Sequence, residues 1–303
     1  MIAKAAFTAA MLCATAPALA QAPPPSPFAP LVDKPTCTRA ELKAATDAYV
    51  DAQRKGNISV LPLDPKAHLL ENMATVEKDK GLWNTPLPIA NAMSFHDDKR
   101  CKTFTEVIVT EGGHPYVIGT RFYLHQGRII RVDSLVTDKG DWLFNANAYF
   151  KYTRQEDWSD LFKYQKSAPG GMIAGANAYL DGFADKFTDI PWGTPCARLE
   201  GGAYTNRSNN AHASCEVGLP PGVLYIVNRD YLVDEEKGVI NIFCRFGNST
   251  SGMPDSHSFR FIDGKIRGVH TLSVNLTGNS PQADDYGDIV RTAPPVGAPP
   301  RTR

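Results

Sequence analysis

Asp47-Ala48-Tyr49-Val50-Asp51 and Asn177-Ala178-Tyr179-Leu180-Asp181 are the same phrase written twice in one chain. Downstream of the first copy stands Leu69-Leu70-Glu71, and downstream of the second stands Arg198-Leu199-Glu200. Further on, Arg121-Phe122-Tyr123-Leu124-His125-Gln126-Gly127-Arg128-Ile129 pairs with Ser258-Phe259-Arg260-Phe261-Ile262-Asp263-Gly264-Lys265-Ile266. The three pairs keep nearly the same spacing, so the repeat is a whole small domain, too long for a solenoid unit. Each copy runs helix first and strands later, and each strand region ends in a hairpin.

In the first copy Thr38-Arg39-Ala40-Glu41 reads as a capping box, with Leu42, Ala45, Tyr49 and Ala52 following at helical spacing. Gly56 is the stop signal, which predicts a helix over 38–55. The second copy predicts a helix over 172–187, striped by Ile173, Ala176, Leu180, Phe183 and Phe187. A proline-bearing loop follows each helix. Strands are predicted over 103–110, 116–125 and 128–135, and over 223–234, 238–246, 257–262 and 265–274. Asp263-Gly264 is a strong hairpin turn.

Residues 1–20 read as a secretory signal: Lys4, an apolar run from Ala5 to Ala16, then Ala18-Leu19-Ala20 before Gln21. The run is too short to span a bilayer. The protein is therefore expected to be exported, to the periplasm or the medium. Residues 21–36 are a proline-rich linker, 37–141 the first domain, 142–169 an aromatic-rich connector, 170–278 the second domain, and 279–303 a tail expected to be disordered. The connector carries Trp142, Phe144, Tyr149, Phe150, Tyr152, Trp158, Phe162 and Tyr164, more ring surface than a flexible linker would carry, so it is expected to pack between the repeats. A formal net charge of zero and the absence of any Lys/Arg-rich run argue against nucleic acid and anionic membranes as partners.

Cys37, Cys101, Cys196, Cys215 and Cys244 lie beyond the signal, and export permits disulfides. Four cysteines pair in three ways. One staple per repeat joins Cys37 to Cys101 and Cys196 to Cys215, leaving Cys244 as a buried thiol on a strand. Sequons at Asn57, Asn206, Asn248 and Asn275 matter only in a eukaryotic host. No Cys-x-x-Cys or closely spaced His pair occurs, so no metal cluster is indicated and no cofactor is expected.

A long opening helix, a proline-bearing loop and a sheet closing on Arg260-Phe261-Ile262-Asp263-Gly264-Lys265-Ile266-Arg267 resemble the nuclear transport factor 2-like (cystatin-like, α+β) superfamily. Tyr123-Leu124-His125-Gln126-Gly127-Arg128-Ile129-Ile130 repeats that close more weakly. The superfamily includes ketosteroid isomerase, scytalone dehydratase, SnoaL-type polyketide cyclases and lyases of lignin-derived diaryl dimers. The tandem arrangement also resembles secreted proteins carrying the motifs seen here over 191–202 and 255–260. The resemblance implies two tandem domains, each a helix packed on a curved antiparallel sheet that encloses an apolar pocket. The superfamily shares that pocket and not one reaction. No catalytic set carries over.

Acid–base groups on inward-facing strand positions are the candidates for chemistry. His270 and His257 lie on neighbouring strands of the second copy and are placed across one pocket. Arg198 and Glu200 alternate to one face, opposite Leu199, and Cys196 holds their backbone. Glu71 keeps the glutamate in the first copy while Leu69 replaces the arginine, so polar chemistry is expected in the second copy. Tyr204, Trp192, Phe259 and Phe261 are candidate substrate contacts, and Asp255 reads as a turn residue. His96 and Asp133 are weaker candidates in the first copy. The expected activity is a cofactor-free lyase or isomerase reaction on a small hydrophobic or aromatic substrate, with Glu200 or a histidine moving a proton and Arg198 or Tyr204 holding oxyanion charge. The alternatives are a binding protein using the same pocket, and a sugar-active enzyme, for which a second carboxylate facing Glu200 is missing. A homo-oligomer through the sheet is left open.

Overall fold

The computed structural model describes residues 37–216, 222–247, 249–277 and 280–290. The signal and the proline-rich linker therefore lie outside the described residues. Helix α1 (Arg39–Lys55) opens the first half, and Thr38 caps it: its side chain accepts from Glu41 N while the Glu41 carboxylate accepts from Thr38 N. Gly56 closes it in the left-handed conformation, φ +60°. Strands β1 (Leu63–Glu71), β2 (Ala74–Thr75), β3 (Asn91–Asp97), β4 (Lys102–Val109), β5 (Tyr116–His125) and β6 (Arg128–Thr137) form one sheet, ordered β2-β1-β6-β5-β4-β3.

The second half repeats the plan. Helix α2 (Ala146–Thr153) lies in the connector and α3 (Pro169–Asp181) opens the repeat. Strands β7 (Trp192–Glu200), β8 (Ala203–Tyr204), β9 (Ile226–Asp234), β10 (Val239–Phe246), β11 (Met253–Ile262) and β12 (Lys265–Ser273) follow, ordered β8-β7-β12-β11-β10-β9. Both sheets are mixed, where wholly antiparallel ones were expected: β1 runs parallel to β6, and β7 parallel to β12. Two six-stranded mixed sheets with few helices fit two tandem nuclear transport factor 2-like domains.

The apolar stripe of α1 (Leu42, Ala45, Tyr49, Ala52) shares a core with Val107, Ile118, Phe122 and Val132 of its sheet. Met172, Ala176, Tyr179 and Leu180 of α3 share one with Ile240, Ile242, Phe259 and Val269. A disulfide staples each half, Cys37–Cys101 and Cys196–Cys215, and Cys244 is a buried free thiol. Among the described residues no helix is long and apolar enough to cross a membrane.

The connector joins the halves. Tyr149 and Tyr152 pack in one cluster with Ile108 and Val117 of the first sheet and Leu199 and Leu272 of the second. Phe162 and Tyr164 instead stack on each other at the surface. Polar ties add to this contact: the buried Arg121 donates to Asp230 O and Asn241 O at 3.0 Å each, and Arg39 pairs with Asp234 at 2.9 Å. Part of the presumed tail is ordered. β13 (Gln282–Ala283) and β14 (Ile289–Val290) pair, and Asn145 Nδ2 donates to Ala283 O at 3.1 Å. The expectation of disorder over 279–303 is corrected for 280–290, where backbone hydrogen bonds and a buried Ala283 hold the segment to the connector.

Candidate functional site

Strand register decides which side chains meet. Along the second sheet, Cys244 stands opposite Asp255, and Asp255 opposite Ser273. Two residues along, the same face carries Ile242, His257, Thr271 and Glu200 in one row. The next row is Ile240, Phe259, Val269 and Arg198. Alternation puts all three rows on one side of the sheet, facing α3.

This face bounds a cavity of about 880 Å³, within the range of small-molecule sites. Arg198, Glu200, His257 and Thr271 form its polar wall, and Tyr179, Phe183 and Phe246 supply aromatic surface. Trp142 and Leu143 of the connector and Gly287, Asp288 and Ile289 of the ordered tail also line it. Two glycines permit that closure. At Gly201 (φ +60°) a Cβ would lie 2.2 Å from Trp142 O, and at Gly287 (φ +80°) it would meet Tyr152 at 2.8 Å.

The polar groups are held but not satisfied. Arg198 and Glu200 form an ion pair, and the Arg198 guanidinium lies 5.5 Å from the Tyr179 ring centre. His257 Nδ1 stands 2.6 Å from Asp255 Oδ2, yet off the axis a hydrogen bond requires. Ser273 Oγ donates to the other Asp255 oxygen at 2.6 Å. His257 is stacked between Phe246 and Phe259, each ring centre 5.7 Å away. Among the described residues eight buried side-chain polar atoms have no hydrogen-bond partner. Four of them, Tyr179 Oη, Arg198 Nε, His257 Nδ1 and Thr271 Oγ1, belong to residues lining this one cavity. Orphaned buried polar atoms are costly, and half of those among the described residues belong to the lining of this cavity.

The first half shows the contrast. Its matching row is Thr105, Thr120, Ser134 and Glu71, and the row before it is Val107, Ile118 and Val136. There the helix tyrosine is satisfied: Tyr49 and Thr120 share a hydrogen bond at 2.7 Å, and Thr120 and Ser134 another at 2.7 Å. Glu71 accepts from Leu82 N at 2.7 Å. The same register positions are closed on themselves in the first half and open onto a cavity in the second.

Four sequence candidates therefore come together on the cavity wall: Arg198, Glu200, His257 and Tyr204. Tyr204 stacks on Tyr152 at 4.2 Å, and burial, with the nearby Glu156 carboxylate, pushes its phenol well above the usual range. Trp192, Phe259 and Phe261 pack in the core under α3 and do not line the cavity.

His270 lies on the opposite face of the sheet. The hairpin turn alone would set it across from His257, but an irregularity between Arg260 and Phe261 shifts the register by one residue. His270 then pairs with Ser258, and every residue beyond the bulge changes face. There its Nδ1 is 3.2 Å from both Glu106 oxygens and its Nε2 is 2.5 Å from Glu156 Oε2. Burial opposes the charged ring, but Glu156 and Glu106 outweigh it and push His270 up to about 10. It is a protonated tie between halves. In the first half, His96 bonds Thr46 at 3.1 Å and Asp133 pairs with Arg131 at 2.6 Å, which leaves both as structural groups.

Sequence reasoning missed Asp255, which is fully buried on β11 rather than in a turn, and also Tyr179, Thr271 and Ser273. The usable signal was Asp255-Ser256-His257: two polar groups at period two on a strand share one face.

A family model described as "Domain of unknown function (DUF8021)" matches residues 165–273, the span from just before α3 through β12. No curated protein matches. Among solved structures, the chain is similar to an NTF-2 like protein of unknown function from Burkholderia xenovorans LB400. That likeness is 14% identical, covers 33% of this chain and 84% of that one, and has a TM-score of 0.27.

Proposed function

We propose that the second-half cavity binds a small, largely apolar molecule with an aromatic body and an oxygen-bearing edge, and performs cofactor-free acid–base chemistry on it. Lignin-derived diaryl compounds and polyketide-like phenols fit that description. The observation that carries the reading is one cavity of about 880 Å³ whose wall brings Arg198, Glu200, His257 and Thr271 together with Tyr179, Phe183 and Phe246. Glu200 is the proton-transfer group. A substrate C–H proton passes to its carboxylate, and the electron pair moves onto the substrate oxygen. Arg198 and the Tyr179 phenol, which burial keeps protonated, face that developing charge. The proton then returns at another carbon in an isomerase, or a leaving group departs in a lyase.

The test is thermal shift and turnover on a panel of aromatic dimers, phenols and oligosaccharides. Glu200→Gln should still bind the substrate and lose roughly 10²–10⁴-fold in turnover, as expected for removal of a general base. Undiminished turnover by that variant would overturn the assignment. The Arg198–Glu200 ion pair favours one second reading, in which the pair is structural and the protein is a carrier. Binding without turnover by the wild type would support it.

A further inference from the structure

We propose that Cys244, Asp255 and His257 form a three-donor site for a soft divalent cation, zinc above all, at the floor of the second-half cavity. It goes beyond the acid–base reading, and its test needs no substrate, so either can fail without the other.

The donors come from two paired strands. Cys244 on β10 stands opposite Asp255 on β11, and His257 follows on the same face. One ligand atom from each lies within 4.8 Å of the other two, and all three residues are buried. Tetrahedral zinc, with bonds near 2.3 Å to sulfur and about 2.0–2.2 Å to oxygen or nitrogen, sets its ligands roughly 3.3–3.6 Å apart. Cys244 Sγ and Asp255 Oδ2 are already 3.6 Å apart. Asp255 Oδ2 and His257 Nδ1 are 2.6 Å apart and would have to separate by roughly 0.7–1 Å on binding.

Three further observations point to a ligand. His257 Nδ1, with its side chain only 2% exposed, meets Asp255 Oδ2 at 2.6 Å without hydrogen-bond geometry and has no other polar partner. Asp255 is oriented by Ser273 Oγ on its other oxygen, as second-layer groups orient metal-binding carboxylates. The first half holds Val107, Ile118 and Thr120 at the same register positions, so the fold does not require a thiol, a carboxylate and an imidazole here. Burying that set without an occupant is costly.

The donor set selects the ion. A thiolate beside an imidazole favours zinc-like metals over magnesium and calcium, which prefer all-oxygen sites. Thiolate and carboxylate together neutralise a dication. Cys244 is outside both disulfides and remains available as a thiol. Of the three donors, His257 also lines the cavity, beside Ser273 and Met253. Cys244 and Asp255 lie on neighbouring strands, 11 residues apart in sequence.

The experiment loads chelator-stripped protein with Zn²⁺, Co²⁺, Mg²⁺ or Ca²⁺ and measures metal retained after gel filtration, thermal shift and the cobalt absorption spectrum. One zinc per chain is expected, with stabilisation by Zn²⁺ and not by Mg²⁺ or Ca²⁺. Co²⁺ should give a thiolate-to-metal charge-transfer band that Cys244→Ser abolishes, and His257→Gln should weaken zinc binding at least tenfold. No retained zinc, a wild-type cobalt spectrum without the thiolate band, or equal retention by Cys244→Ser and His257→Gln would overturn the proposal. The wild-type spectrum decides even if a variant fails to fold.

Discussion

His257 and His270 lie on neighbouring strands and face opposite sides of the sheet. His257 faces the cavity, and His270 sits between Glu106 and Glu156 with Tyr149 and Trp158 edge-on to its ring. Removing one member of a buried charge cluster leaves the others uncompensated, so His270→Gln should cost roughly 3–5 kcal/mol in urea unfolding. The pH dependence has a definite sign. His270 titrates at about 10 in the folded protein against an ordinary value of 6.5. Its stabilisation is fully present below about pH 6.5 and is lost as pH rises through about 10. Unfolding free energy measured from pH 6 to 10 should fall in the wild type and fall less in His270→Gln. The Arg198–Glu200 pair was legible at this scale, because both residues sit at period two on a strand and Leu69 stands where Arg198 does in the matching Leu69-Leu70-Glu71. The fate of His270 was not, because a one-residue bulge has no reliable sequence signature.

At the scale of elements, local signals carried well. The capping box of α1 formed as read, and Thr38→Ala should cost about 1 kcal/mol of stability by thermal or urea unfolding. The hairpin at Asp263-Gly264 links β11 to β12. Parallel pairing of β1 with β6 and of β7 with β12 was hidden, since it depends on a long-range return of the chain and no local pattern encodes it. The register comparison between halves gives a sharper prediction. The double variant Asp255→Ile/His257→Thr copies two positions of the first-half floor, Ile118 and Thr120, the second of which satisfies the helix tyrosine there. It removes a buried carboxylate and offers the Tyr179 hydroxyl a partner, so its melting temperature should equal or exceed that of the wild type while ligand-induced stabilisation disappears. A large loss of stability would show that the polar floor is structural.

For the whole molecule, the two halves are fastened by Tyr149 and Tyr152 of the connector, by Arg121 and by the His270 cluster, and each carries its own disulfide. The bridges span 64 and 19 residues. On loop-closure grounds, replacing Cys37 and Cys101 by alanine should cost roughly 4 kcal/mol, and replacing Cys196 and Cys215 roughly 3 kcal/mol, in denaturant unfolding. The duplication was visible in the sequence because three matched stretches recur at nearly constant spacing. The structural asymmetry between copies was only partly visible, because the cavity is closed by residues far apart in sequence: Trp142, Arg198 and Gly287. The central claim is that this second-half cavity is the ligand site. The most direct test is a crystal structure of the protein grown with the most stabilising compound of the panel. The account predicts that compound in the cavity, with an oxygen within hydrogen-bonding distance of Arg198 or Tyr179. A compound bound elsewhere, with the cavity holding only ordered water on Tyr179, Arg198, His257 and Thr271, would contradict it.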